Sequence, residues 1–163
     1  MQLRMHRNFD AARRHFERSM QLAPSNAYIV GRAAAFYIFD GDPDKGLQLL
    51  ERAEAMDPFL PVWVTEERIA ALYALNRFEE MMAAAKALPF QTRRSRIYRL
   101  AVLSQNGEKD EAKKLMSALL ADDPEINSDF IRFEDMYRDR SIMDNLIARA
   151  EEAGLPPGSL SAA

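Results

Sequence analysis

The chain has 163 residues, 48% of them hydrophobic and 29% charged, with a formal net charge of −3 and a sequence pI of about 5.5. That is the balance of a folded chain, one domain or a short repeat array, without the basic footprint that nucleic acid requires. Cysteine is absent, which excludes disulfides and thiolate metal sites; no apolar run would span a bilayer, and residues 1–10 lack a signal peptide's apolar core. A cytoplasmic protein, or a cytoplasmic part of a larger one, with no membrane or nucleic-acid partner is expected.

Residues 1–8 read as the last turns of a helix whose start is missing, because residues 9–24, FDAARRHFERSMQLAP, carry a second-helix pattern without a first. Phe9, Phe16 and Leu22 would then leave an apolar face uncovered, which predicts a homodimer through this N-terminal helix. Residues 27–60 read as a helical hairpin. Val30, Ala33, Ala34 and Tyr37 share one face; Gly41 suits a left-handed turn, Asp42 a cap and Pro43 a first helical position; Leu47, Leu50 and Ala53 make the returning stripe.

The next hairpin, residues 61–92, opens at Pro61 with Trp63, Val64, Ile69, Leu72 and Tyr73, but its second helix is a turn short because Pro89 arrives early. An irregular connection is expected over residues 89–93. Residues 93–105 and 106–124 form another pair, with Ile97, Leu100, Ala101 and Ser104 facing inward. Beyond Pro124, residues 126–137 and 141–153 read as two helices, the second capped by Ser141 and stopped by Gly154, and residues 155–163 as a flexible tail.

A period binds these elements. Pro24 and Pro58, Ala12 and Gly46, Phe16 and Leu50, and Ser19 and Ala53 are each 34 residues apart, and Gly46, Leu50 and Ala53 recur as Ala112, Met116 and Leu119 at 66. A period near 34, hairpin content and a closing proline resemble the tetratricopeptide repeat, carried by Val30, Ala33, Ala34, Tyr37, Gly41, Gly46, Leu50, Ala53 and Pro58. The resemblance implies an all-α fold, a right-handed α/α superhelix (solenoid) of hairpins over residues 1–125, with a partial repeat at 1–26, full ones at 27–60, 61–92 and 93–125, and a helical cap at 126–154. It also implies a protein-protein interaction module that takes a peptide or protein partner in a groove lined by the first helix of each hairpin. Carried over by position, the groove residues are Tyr28, Arg32, Ala35 and Phe39; Val62, Glu66, Ile69 and Tyr73; and Arg94, Tyr98, Ala101 and Gln105. The inserted residue in the second hairpin leaves the middle set open by one position. Gly31, Ala35 and Glu66 stand where the carboxylate-clamping members of the family have Lys and Asn, so a chaperone tail is not the expected ligand.

Residues 136–156, MYRDRSIMDNLIARAEEAGLP, resemble the closing segment of tetratricopeptide regions attached to class III adenylate or guanylate cyclases and to winged-helix regulators of α-proteobacteria. This implies an alternative: the regulatory C-terminal region of such a protein, with its effector domain elsewhere.

Chemistry-bearing patterns are weak. His6 and His15 sit in no metal motif, the glycines form no phosphate loop, no G-x-S-x-G occurs, and the paired carboxylates are helix neighbours that do not converge. No catalytic role and no cofactor is expected. Arg93, Arg94, Arg96 and Arg99 are the sharpest cluster, open to two readings: an anion or acidic-peptide site, or a solvated helix start answering the acidic helices before it. On the first, Arg94→Glu with Arg96→Glu should weaken partner binding without lowering thermal stability.

Overall fold

The computed structural model describes residues 8–159; the expected helix remnant in residues 1–7 and the last four residues lie outside the described residues. Among the described residues there are nine α-helices and no strand: α1 (Phe9–Leu22), α2 (Ala27–Asp40), α3 (Pro43–Met56), α4 (Trp63–Ala74), α5 (Phe78–Lys86), α6 (Arg93–Gln105), α7 (Lys109–Asp122), α8 (Asp129–Glu134) and α9 (Arg140–Glu152). The sequence period is realised in their register. From α1 to α3 both ends move by 34 residues (9 to 43, 22 to 56), and from α3 to α7 both move by 66 (43 to 109, 56 to 122). Helix α5 has 9 residues against 14 in α3 and α7, since the chain leaves the helix ahead of Pro89.

The turn between α2 and α3 forms as its residues dictate. Gly41 takes φ 104, a conformation that favours glycine, and donates its N–H to Tyr37 O; Asp42 Oδ1 accepts from the Lys45 N–H at 3.1 Å, and Pro43 opens α3. Helix α2 is buried on most of its circumference, including Val30, Ala33, Ala34, Phe36, Tyr37 and Ile38. It meets α3 at Gly46, where a Cβ would fall inside the Ile38 side chain and 3.2 Å from Ala34 O. The missing side chain sets how closely the two helices approach.

Helices α2, α4 and α6 lie side by side as one layer, and each carries its hairpin partner, α3, α5 or α7. Helix α9 packs on α6 as a further member of that layer, with Ser104 Oγ donating to Glu152 Oε2 at 3.2 Å. One apolar core runs from Ala34 to Leu155, and a smaller one of Ala12, Phe36 and Tyr37 ties α1 to α2.

Three expectations change at the C-terminal end. The helix expected over residues 126–137 is only the six-residue α8; at Asp135 the backbone turns extended (φ −115, ψ 99), because residues 135–139 are drawn across the α2-α4-α6 layer. Asp139, not Ser141, caps α9, its Oδ1 accepting from Ser141 N at 3.0 Å and Ser141 Oγ at 2.7 Å. The tail is not free up to residue 159: Leu155 is buried, Ser128 N donates to Pro156 O, and Gly158 N and Ser159 N donate to Ser128 Oγ and Asp129 Oδ2, each at 2.8 Å.

Candidate interaction groove

The residues expected to line the groove divide into two groups. Tyr28, at 52% exposure, and Arg32 are open to solvent at the head of the layer, with Ala35, Val62 and Glu66 half-buried and Gln105 exposed at the end of α6. Phe39, Ile69, Tyr73, Arg94, Tyr98 and Ala101 are buried. The chain itself covers part of that second group: residues 135–138 lie against Phe39, Arg94 and Tyr98, and α9 reaches Tyr73, whose hydroxyl donates to Asn145 Oδ1 at 2.9 Å.

An extended segment points alternate side chains to opposite sides. Asp135 and Tyr137 accordingly go inward and are buried, while Met136 is half-buried and Arg138 exposed. Arg94 Nη2 lies 2.5 Å from Asp135 Oδ1 and 3.1 Å from Glu67 Oε2, with its guanidinium 5.7 Å from the Phe39 ring centroid. Tyr98 Oη donates to Asp135 Oδ2 at 3.0 Å and lies 2.8 Å from Tyr137 Oη, which donates to Ala70 O at 2.9 Å. The Tyr137 ring meets Phe39 edge-on, centroids 4.9 Å apart. Arg138 crosses to the other side, 2.7 Å from Asp40 Oδ1 and 3.2 Å from Asp10 Oδ1, with its guanidinium 4.7 Å from the Phe9 ring centroid. Asp40, whose side chain has no exposure, also pairs with Arg13 of α1.

The electrostatics follow from two carboxylates facing one buried cation. Burial acts to lower the Arg94 guanidinium, but Asp135 and Glu67 outweigh it and hold it well above the ordinary arginine range. Burial pushes the Asp135 carboxyl up to about 6, against the pull of Arg94, and burial raises the phenols of Tyr98 and Tyr137 well above their usual value. Arg94 Nε has no acceptor among the described residues.

The rest of the arginine cluster is engaged within the chain. Arg93 Nη1 reaches Asp123 Oδ2 at 2.8 Å, Arg96 Nη1 reaches Asp122 Oδ2 at 2.5 Å, and Arg99 Nη1 donates to Gln91 Oε1 at 2.8 Å. The buried position of Arg94 removes the basis for reversing its charge without loss of stability. Arg32 differs. Its guanidinium lies 5.0 Å from the Trp63 ring centroid and 6.0 Å from that of Tyr28, the two rings stand edge to face at 5.5 Å, and no carboxylate of the described residues pairs with it. Trp63 packs over Gly31, where a Cβ would come within 3.0 Å of its ring.

Sequence reasoning missed Trp63, Glu67, Asp135 and Tyr137. Trp63 and Glu67 are one position on from Val62 and Glu66, the shift that the inserted residue left open. Asp135 and Tyr137 carried only the alternation D-x-Y, hidden inside an expected helix. Among the described residues no three His, Cys, Asp or Glu are grouped to hold a metal ion, and no helix is long and apolar enough to cross a membrane.

Residues 3–64 match the tetratricopeptide repeat family. The match includes Tyr28, Arg32 and Trp63 and stops before the Arg94 network. Repeats of this family typically mediate protein-protein interaction. No curated protein and no solved structure gives a significant match to the chain.

Proposed function

We propose that the chain is a non-catalytic protein-interaction module whose partner docks at the head of the α2-α4-α6 layer, placing an acidic group on Arg32 and an apolar or aromatic one against Tyr28 and Trp63. The observation that carries this is the state of Arg32: an exposed arginine held against two aromatic rings, with no carboxylate partner among the described residues. Aromatic and arginine side chains of this kind dominate binding energy at protein interfaces. Helices rather than loops hold all three, so little ordering entropy opposes binding.

Selection from a random peptide library tests the reading. Enriched peptides should carry Asp or Glu with an aromatic residue and should bind Arg32→Glu at least about tenfold more weakly than wild type. Stability should fall by no more than about 1 kcal/mol, since Arg32 holds no ion pair among the described residues and loses only exposed cation–π contacts. Peptides that bind wild type and Arg32→Glu alike would sink it.

The second reading, a regulatory region of a nucleotide cyclase or winged-helix regulator, draws support from residues 136–156. The same stretch that resembles those proteins supplies the cover of the groove. A cyclase or winged-helix reading frame fused upstream in the gene would favour it, and an upstream frame of neither kind would count against it.

A further inference from the structure

Successive hairpins are joined by residues 23–26, 57–62 and 87–92, that is, four, six and six residues. Between α7 and α9 the connection runs from 123 to 139, seventeen residues. Six residues suffice elsewhere to carry the chain from the second helix of one hairpin to the next helix of the layer. The extra length makes a detour across the layer, and α7 and α9 could keep their places with residues 135–138 lifted away.

The detour is held by polar pairs as well as by the packing of Tyr137 into the core, as a groove holds an extended peptide by pockets for alternate side chains. Its two inward side chains are a carboxylate and a phenol, and each meets a polar partner on a different helix: Asp135 on Arg94 of α6, Tyr137 on Ala70 O of α4. Its backbone makes one hydrogen bond to the helical layer among the described residues, from Arg138 N to Phe39 O at 2.7 Å. Three of its receptors, Phe39, Arg94 and Tyr98, are positions that the repeat pattern assigns to the groove. The fit is also incomplete, since the buried Arg94 Nε has no acceptor among the described residues, and a half-satisfied polar cluster holds less firmly than apolar packing.

We infer that residues 135–138 are an internal ligand, and that the site beneath them, formed by Phe39, Asp40, Glu67, Arg94 and Tyr98, takes an extended partner segment with a carboxylate, a phenol two residues on, and a basic side chain next. The internal copy closes this site until such a segment competes for it. This rests on the interaction-module reading, but its test leaves Tyr28, Arg32 and Trp63 untouched, so either can fail alone.

The probe is a fluorescent peptide of residues 133–139, titrated onto the full chain and onto Asp135→Ala/Tyr137→Ala. A site occupied by its own ligand shows an affinity reduced by the fraction of time it is open. The variant should therefore bind the peptide at least about tenfold more tightly than wild type, and a peptide carrying the same two substitutions should not bind. A variant with unchanged circular dichroism that binds no better than wild type overturns the proposal. Should the variant not fold, amide hydrogen exchange on wild type decides. Exchange at Arg138 through an opening smaller than global unfolding, accelerated by added peptide, supports the proposal; exchange only on global unfolding, with no effect of peptide, overturns it. A wild-type dimer formed by exchanging residues 123–139 would give the site to a second copy and overturn the assignment to a partner protein.

Discussion

The N–H of Arg138 donates to the carbonyl of Phe39 over 2.7 Å, so a residue 99 positions further on closes the last turn of α2. Carbonyls at a helix end lack intrahelical donors, and Gly41 and Asp42 both turn back to Tyr37 O rather than to Phe39. The Arg138 side chain adds to this through Asp40. Arg138→Ala keeps the backbone bond but removes a cation from a fully buried carboxylate. A loss of about 1–2 kcal/mol is expected in urea unfolding, limited because Arg13 still reaches Asp40 and Arg138 is half in water. A change indistinguishable from zero would mean that Arg13 alone satisfies Asp40.

Arg94 should be intolerant of replacement where its neighbour Arg96 is not. Arg94→Met leaves Glu67 and Asp135 facing each other without a cation, which costs about 3–5 kcal/mol, and Arg94→Glu would cost more. Arg96 pairs with an exposed Asp122 side chain, so Arg96→Ala should cost less than about 1 kcal/mol. Melting temperatures of the three variants check the order.

At Gly46 two effects oppose each other. Alanine is the better helix former by about 1 kcal/mol, but its methyl would meet Ile38 and Ala34 O, and overpacking costs about 1–3 kcal/mol. The clash is with Ile38 Cγ1, near the branch of a buried side chain rather than its free end, and the Ala34 carbonyl is tight as well, so Gly46→Ala should lower stability. Ile38→Ala in the same chain should recover part of the loss, a non-additivity that a double-mutant cycle would read.

The pH dependence follows from Asp135. Facing it are Glu67, Arg94, Tyr98 and Tyr137. Three oxygen contacts, Asp135 to Tyr98, Tyr98 to Tyr137 and Tyr137 to Ala70, share two phenolic protons. A proton on Asp135 supplies the third, donated in turn from Asp135 to Tyr98, Tyr98 to Tyr137 and Tyr137 to Ala70. With the folded carboxyl at about 6 and an ordinary value of 3.8, folding takes up a proton between those pH values. Stability from this group is therefore present below about pH 4, falls as pH rises towards 6, and is level above. Asp135→Asn does not titrate. The unfolding free energy of wild type relative to Asp135→Asn should drop by up to about 3 kcal/mol from pH 4 to 7. A constant difference would mean that the carboxyl titrates as it does in water.

Residues with a local physical signature were legible in the sequence. Gly41, Asp42 and Pro43 each act at the turn for the reason that their type implies, and the 34 and 66 spacings fall on the helix ends themselves. What could not be read was long-range. Arg94 in sequence is one of four arginines at a helix start; it is buried because Glu67, 27 residues before it, and Asp135 beyond α8 converge there. Residues 126–137 carry a helical pattern, which tertiary contacts to Phe39, Arg94 and Ala70 override. Phe9 and Phe16, read as an uncovered face, are half-buried, Phe9 beneath Arg138 and Phe16 stacked on Phe36 at 5.2 Å; of that face Leu22 stays exposed.

A stack of hairpins in which each touches only its neighbours melts piecemeal, and its stability is close to a sum over adjacent units. The Arg138 to Asp10 pair spans 128 positions, and with Asp40 and Arg13 it fastens the segment before α9 to α1. The array thereby has one link that skips its intermediate hairpins. Release of residues 135–138 would therefore also release α1 from its second partner, and loss of the clasp at Asp40 should let α1 unfold apart from the helices that follow.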